Sequence, residues 1–150
     1  MAFGQLSLKG RALKLLSARE HSRRELERKL AEHEQTPGQL RQALDELEAR
    51  GFLCDQRAAD SLVHRRSGKL GAMRVRQELL AKGIAADRVA AVVAGLKDSE
   101  VARAHEVWHK KFDAPPRDAA ERAKQARFLA ARGFGGETIR RVMGGAAEEE

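Results

Sequence analysis

Apolar positions along the chain recur at helical spacing in short runs, each closed by a glycine, a proline or a capping residue. Leu6, Leu8, Ala12, Leu13, Leu15 and Leu16 share one face and predict a helix over 7–18. Ser22, with Glu25 three residues on, has the spacing of a capping box, so a second helix starts there with Leu26 and Leu30 inward. Thr36-Pro37 predicts the next start, with Thr36 as N-cap and Pro37 where its missing amide costs nothing. Leu40, Ala43, Leu44 and Leu47 form that helix's stripe, Gly51 its left-handed stop, and Phe52 is expected to fold back behind it. Asp55 is expected to N-cap a helix with Ala58, Ala59, Leu62 and Val63 inward, which runs to Arg65-Arg66-Ser67. A helix over 72–82 ends at Gly83, and one over 86–95 buries Val89, Val92 and Val93. Asp98 or Ser99 is expected to cap the helix that carries Val101, Ala104, Val107 and Trp108. Asp113-Ala114-Pro115-Pro116 breaks it, and helices over 117–132 and 137–143 follow on either side of Gly133. No segment alternates in strand fashion, so the predicted class is all-α.

These runs repeat. Leu79, Gly83, Val89, Val92 and Val93 fall 50 positions before Leu129, Gly133, Ile139, Val142 and Met143, and Leu26, Leu30, Leu40 and Leu44 fall 49 before Val75, Leu79, Val89 and Val93. Such a period predicts three tandem three-helix repeats, at 1–53, 54–97 and 98–145, in an elongated and curved arrangement with modest contacts between units. An acidic tail, 146–150, closes the chain. Function in such an array resides in an extended surface rather than in an enzyme pocket.

Charge sharpens that expectation. The 29 Lys+Arg against 22 Asp+Glu give a net charge of +7, which points to a polyanionic or acidic partner, nucleic acid or nucleoprotein first. No acidic residue lies between Asp60 and Glu78, while Arg65, Arg66, Lys69, Arg74 and Arg76 do. The stretch is either a solvated helix face or a basic patch that meets phosphate or acidic protein, and arginine forks suit both partners. No apolar run reaches a membrane span, no secretory signal is evident, and no heptad seam is sustained, so a cytoplasmic monomer is expected.

Candidate chemistry adds little. His105-Glu106-Val107-Trp108-His109 spells a zinc-hydrolase pattern, but no third ligand follows closely and Val107-Trp108 reads as core, so neither a metal nor another cofactor is expected. The single cysteine, Cys54, excludes an intramolecular disulfide and reads as an idle thiol. Gly133-Phe134-Gly135-Gly136 lacks the strand and spacing of a phosphate loop, and aromatics are too few to stack single-stranded bases.

The motif set Arg19-Glu20-His21-Ser22-Arg23-Arg24-Glu25-Leu26 with Lys29-Leu30, Gly51-Phe52-Leu53 with Asp55 and Arg57, Arg74 with Glu78-Leu79 and Lys82-Gly83-Ile84, and Arg127-Phe128-Leu129 with Arg132-Gly133-Phe134 resembles the RecX regulators of bacterial recombination. The resemblance runs from about Arg11 to Met143, with departures at Ala58 and near Leu70, where the family favours aromatics, and at Ala72, where it favours proline. It implies tandem three-helix repeats, no enzymatic activity, and binding along the groove of the RecA–DNA filament that limits strand exchange, ATP hydrolysis and co-protease function. On that basis Arg57, Arg65, Arg66, Lys69, Arg74, Arg76, Lys82, Arg127, Arg132, Arg140 and Arg141 are the candidate partner-binding residues, for the RecA filament and for DNA through it or directly. The competing class is a DNA-binding protein with helix-turn-helix-like units and no RecA dependence, although no helix carries the Asn, Gln and Arg cluster of base reading.

Overall fold

The computed structural model describes residues 6–144. Nine α-helices and two short 3-10 turns make up its regular structure, and among the described residues there is no strand. The expected acidic tail at 146–150 lies outside the described residues. The helices are α1 (Leu8–Ala18), α2 (Arg23–Leu30), α3 (Gln39–Ala49), α4 (Asp55–Arg66), α5 (Ala72–Ala81), α6 (Ala86–Leu96), α7 (Glu100–Lys111), α8 (Ala119–Ala131) and α9 (Gly136–Gly144).

They pack three by three, each set around its own core. Leu8, Leu26, Leu40, Leu44, Leu47 and Leu53 close the first unit. Leu62, Val75, Leu79, Ile84 and Val89 close the second, and Ala104, Trp108, Leu129, Phe134 and Ile139 the third. The three positions at which the sequence departs from the RecX pattern, Ala58, Leu70 and Ala72, are all buried in the middle unit. In the third unit the buried Trp108 donates its indole N–H to Gln125 Oε1 at 2.8 Å, and Gln125 Nε2 in turn donates to the Ala114 carbonyl at 3.2 Å. Both of these polar groups are therefore satisfied.

The capping box of α2 forms as expected, with Ser22 Oγ accepting from the Glu25 amide at 3.1 Å and Glu25 Oε1 from the Ser22 amide at 2.9 Å. Gly51, Gly83 and Gly133 all take positive φ, and each ends its helix with the same pair of bonds. At Gly133, for example, the Phe134 amide reaches Leu129 O at 3.2 Å and the Gly133 amide reaches Ala130 O at 2.9 Å, the Schellman pattern.

Other local expectations do not hold. Thr36 is not the cap of α3: Gly38, at φ 87°, is, and the Leu40 amide is taken by Glu34 Oε2 at 2.8 Å. Phe52 is 49% exposed, and Leu53 is the residue that folds in behind Gly51. Leu6 precedes α1 and is exposed, and Ser7 caps that helix. Neither Asp98 nor Ser99 makes a side-chain cap on α7, because both sit in a 3-10 turn, Lys97–Ser99. Asp118 rather than residue 117 opens α8, accepting from the Glu121 amide at 2.8 Å.

Asp55 is not the cap of α4 but its first residue, and its carboxylate faces another unit. Asp55 Oδ1 accepts from the amide of Arg23, the first residue of α2, at 2.8 Å. One unit on, Glu100 Oε1 accepts from the amide of Ala72, the first residue of α5, at 2.7 Å. In both cases the acid that opens a unit satisfies an orphan N–H of the preceding unit's middle helix.

Further bonds of each joint gather along the same middle helices. At the first, Ser22 Oγ donates to Lys82 O at 2.6 Å and Arg28 Nη1 to Ala81 O at 2.9 Å, with Lys82 Nζ held 3.0 Å from Glu25 Oε2. At the second, the Gly71 amide donates to Arg132 O at 2.7 Å, the Met73 amide to Gly133 O at 3.2 Å, and Arg74 Nη1 to Ala131 O at 3.0 Å. The N-terminal end of α2 therefore meets the C-terminal carbonyls of α5, and that of α5 meets those of α8, so the helix dipoles run in series. Among the described residues no hydrogen bond or ion pair joins the first unit to the third. The units form a row whose mutual contacts are modest, as expected, and largely polar.

Candidate partner interface

The serial joints decide which of the candidate basic residues are available to a partner. Arg57 is committed to the first joint, with Nε on Glu20 Oε2 at 2.9 Å and Nη2 on Gly51 O at 2.6 Å. Lys82 and Arg74 are likewise engaged in the joints described above. Arg66 pairs with the half-buried Glu78 at 3.5 Å, and Arg141 with Glu137 at 3.4 Å, the second pair on the surface, where it contributes little. Arg65, Lys69, Arg76, Arg127 and Arg140 are exposed, and among the described residues none has an ion pair or side-chain hydrogen bond.

Electrostatics at the first joint is tight. Burial alone would raise the Glu25 carboxyl, but hydrogen bonds from Arg19, the Ser22 amide and Lys82 outweigh it and bring it down to about 2. Beside it His21 is buried and held below its usual range by that burial, against the opposing bond of its Nδ1 to the Arg19 carbonyl at 3.0 Å. Glu25 links the first two units through Lys82, while His21 bonds within the first unit.

A cleft of about 340 Å³ opens beside the second joint, lined by Gly68, Lys69, Val107, Lys110, Lys111, Phe128 and Arg132. The loop after α4 supplies Gly68 and Lys69, the last turns of α7 supply Val107 and the two lysines, and the end of α8 supplies Phe128 and Arg132. Arg132 lies over the Phe128 ring at 4.3 Å and Lys111 Nζ at 5.8 Å, while Phe112 meets that ring edge-on at 5.3 Å. Four cations therefore converge on an apolar floor, and no carboxylate is among the lining residues. Of the candidates, Lys69 and Arg132 meet here; Arg65, Arg76, Arg127 and Arg140 do not line it. Lys110 and Lys111 were missed because two lysines in a helix's last turn read as ordinary complements of its dipole.

His105 and His109 are exposed and stack at 6.2 Å, and among the described residues no group of three or more His, Cys, Asp or Glu is placed to hold a metal. Among the described residues no helix is long and apolar enough to cross a membrane. A row of three-helix units, joined end to end and presenting cations to its surroundings, defines a helical protein that works by binding others.

Comparison with known proteins gives the family. Descriptions of the first, second and third three-helix domains of RecX match residues 9–47, 55–93 and 98–143. The regulatory protein RecX of Leptothrix cholodnii is 52% identical over 139 residues, covering 93% of this chain and 88% of that protein. That of Herminiimonas arsenicoxydans is 47% identical over 150 residues, covering 100% and 99%. The crystal structure of RecX from Lactobacillus salivarius superposes with a TM-score of 0.78 at 20% identity, over 91% of this chain and 92% of that one, a likeness of fold. The chain belongs to the RecX family. It is a regulatory protein and not an enzyme, so its role requires a partner protein.

Proposed function

We propose that this chain binds the groove of the RecA–DNA filament and restrains RecA's recombinase, ATPase and co-protease activities. The observation that carries it is the second joint, which links the middle and third units, with Arg65, Lys69 and Arg76 of one and Arg127 and Arg140 of the other exposed and, among the described residues, without ion-pair or side-chain hydrogen-bond partners. A filament offers phosphate and acidic protein surface at regular intervals, and a row of units gains from several weak contacts at once. Seated there, the chain obstructs incoming duplex and opposes the protomer motion that accompanies nucleotide turnover. The groove contacts are drawn from the candidates that the joints leave available, with Arg57, Arg74 and Lys82 supporting the array instead.

The experiment is RecA ATPase on single-stranded DNA, titrated with this protein at two salt concentrations. Inhibition below one molecule per RecA protomer, relieved by salt and weakened in an Arg65→Glu/Arg76→Glu variant of unchanged melting temperature, is the expected result. Absence of inhibition, with salt-sensitive binding to naked DNA that RecA does not alter, would instead establish the direct nucleic-acid-binding alternative.

A further inference from the structure

The cleft beside the second joint has a chemistry distinct from the exposed basic surface around it. An array of arginines on helix faces suits a phosphate track. Here Lys69, Lys110, Lys111 and Arg132 surround one concavity floored by Val107 and Phe128. The Phe128 face is occupied by Arg132 at 4.3 Å, and Phe112 packs edge-on at 5.3 Å, so the ring is not a platform on which a base can stack. A guanidinium lying over a ring keeps its N–H edge available for an oxygen pair in its own plane, which a carboxylate supplies. The apolar floor offers nothing to a sugar-phosphate chain, but it does bury a side chain. A volume of about 340 Å³ accommodates a few side chains rather than a polymer passing through.

We propose that this cleft is a docking site for an acidic peptide segment of a partner protein, with an apolar side chain placed on Val107 and Phe128 and flanking carboxylates met by Arg132 and the three lysines. The peptide contributes the carboxylates the cleft lacks; the cleft contributes cations held by three different segments of chain. The proposal rests on the filament reading only for where such a segment is encountered, since recognition itself needs no filament.

The test is fluorescence anisotropy on the isolated full chain. The probes are a labelled Glu-Asp-Leu-Phe-Asp-Glu peptide, a Glu-Asp-Gly-Ser-Asp-Glu peptide of equal charge, and labelled hexathymidylate. The first peptide is expected to bind roughly tenfold more tightly than the second, the increment of one buried apolar side chain. A Lys110→Glu/Lys111→Glu variant is expected to lose that binding by roughly tenfold or more. Lys69→Ala and Lys111→Ala, singly, give a smaller loss and serve where the double reversal lowers the melting temperature. Equal binding of the two peptides, binding untouched by these lysine changes, or displacement of the first peptide by hexathymidylate at lower concentration would each overturn the proposal. Peptide binding with no effect on RecA ATPase would sink the filament reading and leave the cleft's specificity standing.

Discussion

If the joints between units contribute to stability, the three Schellman glycines should not be equally sensitive to alanine. Gly51, Gly83 and Gly133 share the same backbone, with φ of 82°, 76° and 91°. Alanine at any of them carries the left-handed penalty of about 1–2 kcal/mol, offset in part by a less flexible unfolded chain. Those contributions are common to all three sites and cancel on comparison. What differs is the surroundings of the added methyl. At Gly51 nothing lies within 4 Å. At Gly83 it would meet Arg24 Cβ at 2.5 Å and Cγ at 2.7 Å, atoms of a side chain on the exposed face of α2. At Gly133 it would meet both the backbone amide and the Cβ of Arg74 at 2.5 Å, which cannot move without shifting the start of α5.

Relief at Gly133 therefore requires the joint to open, with loss of the Gly71 bond to Arg132 O and the Met73 bond to Gly133 O. Two such bonds at about 1 kcal/mol each place Gly133→Ala about 2 kcal/mol below Gly51→Ala. For a chain of this length that is roughly 4–8 °C in melting temperature. Gly83→Ala should fall between them. Urea and thermal unfolding followed by circular dichroism measure all three. Equal destabilisation at Gly51 and Gly133 would refute the reasoning, because the joint would then contribute nothing beyond the turn itself.

Three further outcomes follow from individual side chains. Arg103 donates to Ser67 O, Leu70 O, Leu96 O and Ser99 Oγ at 2.9–3.0 Å, so Arg103→Ala should cost about 2–3 kcal/mol in urea unfolding, and Arg103→Lys should recover less than half, since one ammonium cannot span those acceptors. Glu25, lowered from 4.5 to about 2, stabilises the fold fully above the unfolded value and loses that contribution as pH falls from about 4.5 through 2; comparing melting temperatures at pH 7 and pH 3 should show a steeper loss in the native chain than in Glu25→Gln. Glu100→Ala, which strips the Ala72 amide of its acceptor, should cost about 1–2 kcal/mol and expose the N-terminal end of α5 to hydrogen exchange before the rest of that helix.

Helix spans and stops were legible in the sequence because both are local. A capping box, an apolar stripe and a glycine followed by an apolar residue report on a few neighbours along the chain. The failure at Asp55 arose because an acid at a helix start looks like that helix's own cap, whereas Asp55 serves Arg23 in the preceding unit; Asp98 and Ser99 failed because the chain turns through a 3-10 segment there. Thr36 failed for a neighbouring reason, since Glu34, just before it, reaches Leu40 first. The candidate site was legible as charge but not as geometry. Arg74 and Lys69 are equally basic in the sequence, yet one braces a joint and the other lines a cleft with Lys110, Lys111 and Phe128.

Irregularities of the repeat track the joints. The middle helices α5 and α8 each receive a preceding unit at their C-terminal ends, and each ends in glycine where a side chain would collide with the incoming arginine, Arg24 or Arg74. The middle helix of the first unit, α2, ends without such a glycine and runs into a 3-10 turn, Ala31–His33. At the other ends, α2 and α5 take a carboxylate from the unit that follows. At α8 the acceptor is the helix's own N-cap, Asp118. Each of the two joints has a helix-ending glycine that leaves no room for a side chain, Gly83 or Gly133, joined at the second by Gly71, and each has a carboxylate, Asp55 or Glu100, that accepts from the preceding unit's middle helix. Gly71, Gly83, Gly133, Asp55 and Glu100 are therefore marks of the joint rather than of the three-helix unit, which is why a comparison of repeats alone leaves Gly83 and Gly133 without a counterpart in the first unit.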